Sequence, residues 1–96
     1  MSKSELIKVL AELNKELKAK YKGRVIGLFG SYARGEEKEI SDIDLLIEKD
    51  DGVTILDLAS MKIFLEERLK TSVDIVTTTA LREEIKPYVM NDLIYV

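Results

Sequence analysis

The chain has 96 residues, of which 46% are hydrophobic and 34% charged, and its formal net charge is -3. This balance is typical of a single globular domain, and the negative charge disfavours broad binding to nucleic acid, which needs many Lys and Arg facing phosphate. Because cysteine and histidine are both absent, disulfides, thiolate nucleophiles and Cys or His metal sites are excluded. Carboxylates are left as the only strong metal ligands.

The first predicted element is a helix over residues 3–21. Ser2 and Glu5 have the spacing of a capping box, and leucines recur behind them at helical intervals. Gly23 is predicted to be the left-handed residue that ends this helix. The N-terminal segment carries charges every few residues, so we expect neither a signal peptide nor a membrane span, and a cytoplasmic location. Cations are favoured at a helix C-terminus, so a solvated surface is the preferred interpretation of the basic cluster Lys15, Lys18, Lys20, Lys22 and Arg24.

Two short apolar runs follow, separated by a polar segment. Residues 25–29 and 43–47 are too short for helices and are predicted to be buried strands, with the glycine-containing segment 30–41 between them. Thr54 and Asp57 have the spacing of a second capping box, which predicts a helix over residues 54–70. Residues 72–77 contain β-branched and alternating side chains, so a third strand is expected there.

The C-terminal part is predicted to hold a third helix and a short strand. Thr79 is expected to cap the helix, which would carry Leu81 and Ile85, and Pro87 is expected to end or kink it. The apolar run 93–96 is a candidate fourth strand. This order predicts one α/β (α+β) domain over residues 1–96, with a small mixed sheet and helices packed on one face.

Three aspartates stand out because they interrupt apolar strands. Side chains two apart in a strand share a face, so Asp42 and Asp44 should project together, away from the core. Two adjacent carboxylates repel each other unless a cation lies between them, and Mg²⁺ prefers such oxygen ligands. Asp74 lies between Val73 and Ile75, where an acid is costly unless it is paired or bound to metal. It is the candidate third ligand, although capping of a neighbouring turn would also explain it.

Gly30 and Ser31 follow the first strand directly. Glycine permits close approach of the backbone to a ligand, and a helix that starts here would present free N–H groups to an anion. The Ser31 hydroxyl adds a donor, and Arg34 could add a charge-assisted hydrogen bond. The segment therefore predicts a phosphate-binding site.

Together these residues resemble a known family. Gly30-Ser31, a ten-residue spacer, Asp42-Ile43-Asp44 and a later strand bearing Asp74 are similar to the signature of the DNA polymerase beta-like nucleotidyltransferase superfamily. In the order and length of its elements, nearly the whole chain resembles the minimal nucleotidyltransferases, which are often encoded beside helical HEPN proteins. The resemblance implies a polymerase beta palm-like fold and transfer of AMP from ATP to a hydroxyl acceptor.

The same resemblance implies a role for each site residue. Gly30 and Ser31 would hold the β and γ phosphates, Asp42 and Asp44 would bind two Mg²⁺ ions, and Asp74 would help to hold the ion that activates the nucleophile. A HEPN-type partner protein is the implied acceptor. The rival hypothesis is a binding module that neutralises such a partner by covering its surface, with the nucleotide site kept for structure or regulation.

Other motifs fit the residues less well. An EF-hand that starts at Asp42 would require glycine at Ile47 and glutamate at Val53, and a Walker loop would need Gly-Lys-Ser/Thr. Tyr32 could stack on a base, but packing is the preferred interpretation. A charge run between two elements is usually solvated, and this excludes three acids from the predicted site: Glu36, Glu37 and Glu39.

Overall fold

A computed structural model describes all residues, 1–96. It contains four α-helices, one 3₁₀ turn at Thr78–Ala80 and four strands. The helices are α1 (Lys3–Tyr21), α2 (Gly30–Arg34), α3 (Ile55–Leu69) and α4 (Lys86–Asp92), and the strands are β1 (Gly23–Phe29), β2 (Ile43–Lys49), β3 (Val73–Thr77) and β4 (Ile94–Tyr95). No helix has the length and apolar character needed to cross a membrane.

The strands form one mixed sheet in the order β3-β2-β1-β4. β1 pairs antiparallel with β2 and with β4, whereas β2 and β3 are parallel. A parallel pair needs a crossover connection, and α3 provides it between β2 and β3. The mixed α/β fold predicted from the sequence is confirmed, and the C-terminal apolar run does form the fourth strand.

The main core lies between one face of the sheet and the helices α1 and α3. Side chains of β1 and β2 alternate, so that Leu28 and Leu45 are fully buried against these helices. The helices contribute Leu10, Leu17 and Leu65, which are also fully buried. Residues on the opposite face of β2, including Asp44, therefore point away from this core.

The capping box predicted at α3 is complete, whereas of the one predicted at α1 only the bond to the Ser2 side chain is formed. Ser2 Oγ accepts a hydrogen bond from the Glu5 backbone N–H at 3.2 Å, and Thr54 Oγ1 accepts one from Asp57 N–H at 3.2 Å. Asp57 returns the contact by accepting from the Thr54 N–H at 2.8 Å. These bonds satisfy N–H groups that have no partner within the helix, and they fix where α1 and α3 begin.

Three of the sequence predictions are wrong at element boundaries. The left-handed residue after α1 is Lys22 (φ 57°), whereas Gly23 begins β1, where a Cβ atom would lie 2.8 Å from Met61 Cε. Close packing, not backbone conformation, explains that glycine. Pro87 lies in the first turn of α4 and starts the helix, because its fixed φ suits this position and the N–H that it lacks would be unpaired there. Thr79 caps no long helix; it lies within the 3₁₀ turn, whose N-cap is Thr77.

β1 contains an irregularity that shifts its register against β2. Val25 pairs with Ile47 and Gly27 with Leu46, so Ile26 is an extra residue, as in a β-bulge. Asn14 of α1 supports the strand at this point: its Oδ1 accepts from Val25 N–H at 2.7 Å and its Nδ2 donates to Val25 C=O at 3.0 Å. The Asn14 side chain thus satisfies both backbone groups of Val25, as a neighbouring strand would.

Candidate active site

The sheet register brings two of the predicted acids side by side. Asp44 of β2 is the pairing partner of Asp74 on β3, and on its other side Asp44 pairs with Phe29, the last residue of β1. Partners in neighbouring strands point to the same face, so both carboxylates lie on the face opposite α1 and α3. Asp42 directly precedes β2 and is exposed. The three acids thus lie at one end of the sheet, where β1 ends and where β2 and β3 begin.

None of the three carboxylates has a compensating partner. No hydrogen bond or ion pair reaches Asp42, Asp44 or Asp74, although the chain forms six ion pairs elsewhere. Burial raises the pKa of the Asp44 carboxyl above its ordinary value, and the negative charges of Asp74 and Asp42 raise that pKa further. The charge of Arg34 opposes these effects. The site therefore holds uncompensated negative charge, most of all at Asp44.

Gly30 lies in direct contact with the Asp44 carboxylate. Its φ is +75°, and a Cβ atom at this position would overlap Asp44 Oδ2 and lie 3.0 Å from Asp44 Cγ. Only glycine combines that backbone conformation with so little volume. Gly30 also begins α2, whose N-cap residue Phe29 offers no side-chain hydrogen bond to the first turn. Ser31 lies in that turn, and its hydroxyl has no hydrogen-bond partner within the chain.

Arg34 lies at the other end of α2 and is held by two acids. Its Nη1 donates to Asp92 Oδ2 of α4 at 2.6 Å, and its Nε donates to Glu36 Oε2 at 3.0 Å. The Asp92 side chain is 17% exposed and that of Arg34 is 45% exposed, so this ion pair joins α2 to α4 at the surface. To reach a phosphate, Arg34 would have to exchange at least one of these carboxylates for it.

A divalent cation fits the chemistry of the donors but has no ready-made cage here. All three candidate ligands are carboxylates without other partners, which suits Mg²⁺. However, no three acidic side chains in the chain are close enough together to form a metal-binding group. Like charges with nothing between them repel, so bringing the three carboxylates together would require the cation itself.

The residues excluded from the predicted site behave as predicted. Tyr32 packs against the main core, and Glu36, Glu37 and Glu39 are exposed, although Glu36 forms an ion pair with Arg34. Within the basic cluster, Lys18, Lys20 and Arg24 pair with the nearby acids Asp50, Glu16 and Glu48. That pairing is what a solvated, self-neutralised surface would show.

Sequence reasoning missed three charged residues near the site. Asp92 holds Arg34, and Lys62 and Arg82 line a groove that also includes Asp74. Nothing in the spacing of the sequence connects Asp92 with Arg34, which lies 58 residues away. Arg82 lies in a segment that the sequence predicts to be helical, whereas in the structure the helix begins only at Lys86.

Comparison with known proteins identifies the family. Residues 10–96 match the nucleotidyltransferase domain family. A protein of Methanocaldococcus jannaschii, provisionally named a protein adenylyltransferase, is 39% identical over 94 residues, which cover 97% of this chain and 96% of that protein. Protein adenylyltransferase MntA of Thermococcus cleftensis is 36% identical over 92 residues, which cover 96% of this chain and 93% of MntA.

Solved structures agree with this relationship. A structure described as a minimal nucleotidyltransferase superposes with a TM-score of 0.81 at 35% identity and covers 100% of this chain and 97% of its own. A chain from a toxin-antitoxin crystal structure with AMP-PNP shares the fold, with a TM-score of 0.71 at 24% identity over 99% of this chain and 72% of its own. The chain therefore belongs to the nucleotidyltransferase domain family and is a minimal nucleotidyltransferase, an enzyme similar to the protein adenylyltransferases.

Proposed function

We propose that this enzyme transfers AMP from ATP to a hydroxyl group of a partner protein, with Asp42, Asp44 and Asp74 as its catalytic carboxylates. One observation carries the proposal: Asp44 and Asp74 are paired in register on one face of the sheet, and neither carboxylate has a hydrogen bond or an ion pair. A folded protein rarely keeps a half-buried acid beside two others without compensation unless a ligand supplies it.

The proposed reaction is an in-line substitution at the α-phosphorus of ATP. The acceptor oxygen forms a bond to that phosphorus while the bond from phosphorus to the oxygen bridging to the β-phosphate breaks. Pyrophosphate leaves with that bridging oxygen, and AMP remains attached to the acceptor. The acceptor proton passes to one of the three aspartates, whose carboxylates have no other partner within the chain.

The other site residues would bind and orient the triphosphate. Ser31 Oγ and the N–H groups at the start of α2 have no side-chain cap, so they can donate to the β- and γ-phosphates. Arg34 would add charge after releasing Asp92 or Glu36. Mg²⁺, held by Asp42, Asp44 and Asp74, would neutralise phosphate charge and lower the pKa of the attacking hydroxyl.

The partner protein is the part of the proposal that depends most on relatives. MntA is named a protein adenylyltransferase, and a structure of similar fold is a toxin-antitoxin complex with AMP-PNP. These names favour ATP as the first nucleotide to test and a toxin-antitoxin partner as the first acceptor. We include in the proposal a HEPN-type identity for that partner and a cytoplasmic location for the pair.

The test is to incubate the purified chain with Mg²⁺ and α-³²P-labelled ATP, with and without the protein encoded by the neighbouring gene. Label should appear on the partner, and Asp42→Asn and Asp44→Asn should abolish it. Asp51→Asn is the matched control, because Asp51 is exposed in a turn and has no ion pair. Label that reaches unrelated proteins equally well would refute partner specificity, and label that survives Asp44→Asn would refute the catalytic assignment.

A second function, neutralisation of a partner by binding alone, is supported by a different observation. α3 exposes three large apolar side chains to solvent: Ile55 (83%), Leu56 (79%) and Ile63 (56%). Such residues on one short helix are typical of a protein-binding surface. If Asp44→Asn still neutralises the partner, binding suffices; if neutralisation is lost together with transfer, catalysis is the function.

A further inference from the structure

A groove of about 510 Å³ runs along the outer edge of the sheet, beside Asp74. Its floor is β3, one wall is the N-terminal half of α3, and the other wall is the segment from the 3₁₀ turn to Ile85. Most of its lining is apolar, including Leu58, Ala59 and Ala80. At that size it lies within the range of about 300–1,000 Å³ that is common for ligand sites.

The floor of the groove offers unpaired backbone groups. Ile43 N–H donates to Ser72 C=O at 2.9 Å, and this bond fixes the alternation of backbone groups along β3. The backbone N–H and C=O of Asp74 and of Val76 point toward β2, and those of Ile75 point outward. Val73 N–H also points outward, as this alternation requires, and it donates to Glu66 Oε2 of α3 at 3.0 Å. No strand or side chain pairs with Ile75, which is the central residue of this edge.

Two cations lie on the walls without acidic partners. Lys62 of α3 and Arg82 of the opposite wall both line the groove, and neither forms an ion pair. Among the residues that line the groove, these two cations outnumber the single acid, Asp74. An occupant with negative charge would therefore be complementary to the groove.

We propose that this groove binds an extended, acidic segment of the acceptor protein, which adds to the sheet as a strand against β3. Its backbone would pair with the N–H and C=O of Ile75, its apolar side chains would fill the groove, and its acids would contact Lys62 and Arg82. Because Asp74 lines the same groove, a hydroxyl on this segment would be delivered next to the three carboxylates. The assignment of the segment to an acceptor rests on the proposed function.

Selection from a random 12-residue peptide library against the nucleotide-free protein tests this directly. Enriched peptides should be acidic, with apolar residues at alternate positions, and should shift the Ile75 amide resonance in ¹⁵N-labelled protein. Reversing both charges, with Lys62→Glu and Arg82→Glu, should weaken their binding at least about tenfold, because two attractive contacts become repulsive. The pair Lys8→Glu and Lys15→Glu is the matched control: both lysines are exposed on α1 without ion pairs, and binding should stay unchanged.

Three outcomes would overturn the proposal: no enrichment, peptides without acidic bias, or equal binding to the charge-reversed protein. A fourth would reassign the groove, namely that adenosine alone shifts Ile75 and Ala59 and displaces the peptides, since the groove would then hold a nucleobase. The measurement contains no ATP and no transfer step. Its failure therefore leaves the transfer assay unaffected, and failure of that assay leaves peptide binding unaffected.

Discussion

Substitution of Gly30 by alanine tests the central contact of the site. The new Cβ would overlap Asp44 Oδ2, and the residue would have to keep a φ of +75°. Gly35, at the other end of α2, provides the matched control because its φ is +73° but nothing lies within 4 Å of a Cβ placed there. Both variants place an alanine in a left-handed backbone conformation, and only Gly30→Ala also introduces a steric overlap.

The expected magnitudes follow from these geometries. A left-handed conformation costs an alanine about 1–2 kcal/mol, which should be the whole effect at Gly35. Overpacking typically adds about 1–3 kcal/mol, and the lower end applies at Gly30 because the carboxylate can rotate away from the new methyl group. Each kcal/mol lowers the Tm of a domain of this size by about 4–8 °C, so Gly30→Ala should melt at least that much below Gly35→Ala. Rotation of the carboxylate would also displace Asp44 from the site, so Gly30→Ala should lose transfer activity while Gly35→Ala keeps it.

Urea and thermal unfolding of both variants, each also combined with Asp44→Ala, would measure these effects. Removal of the carboxylate should abolish the extra cost at Gly30 and leave the cost at Gly35 unchanged. If Gly30→Ala is no less stable than Gly35→Ala, or if Asp44→Ala does not relieve the difference, the contact between Gly30 and Asp44 is not the reason for glycine at this position.

Three further predictions concern charge, capping and ligand binding. Because the pKa of Asp44 is raised in the folded chain, the stability of the metal-free wild type relative to Asp44→Asn should be highest below the ordinary aspartate value of about 4 and fall as the pH rises through the raised pKa. Urea unfolding in EDTA at pH 4 and pH 7 would show this, and a difference that grows with pH would contradict it. Thr54→Ala should lower the free energy of unfolding by about 1 kcal/mol, because it removes the hydroxyl that accepts from the Asp57 N–H; thermal unfolding followed by circular dichroism would check this. Arg34→Ala should weaken binding of ATP roughly ten- to hundredfold in calorimetry, and an unchanged affinity would show that Arg34 serves only to hold Asp92.

The sequence predicted the elements and the position of the acids because local rules control both. Period-2 alternation placed Asp44 opposite the core, and capping boxes located the starts of α1 and α3. The parallel pairing that brings Asp74 beside Asp44 also follows from a strand-helix-strand order, in which the crossover helix returns the chain to the same edge.

The failures arose where distant contacts decide the structure. Gly23 packs closely against Met61 of α3, which comes 38 residues later, and the ion pair between Arg34 and Asp92 depends on the docking of α4 onto α2. Pro87 was misjudged because the same residue favours the first turn of a helix and disfavours its interior. The peptide-binding groove depends on three separated segments, so no single stretch of sequence contains a signal for it.

The extra residue in β1 determines at which positions this strand can lose or gain a residue. Because Ile26 lies between Val25 and Gly27 without a partner of its own in β2, removing it would restore regular pairing and keep both flanking halves on their present faces. Removing one residue on the C-terminal side of the bulge, such as Leu28, would instead turn Phe29 into the core and draw Gly30 into the strand position opposite Asp44, so that Gly30 could no longer begin α2. Relatives of this enzyme should therefore gain or lose a residue at the position of Ile26 while the spacing from Gly27 to Gly30 stays fixed.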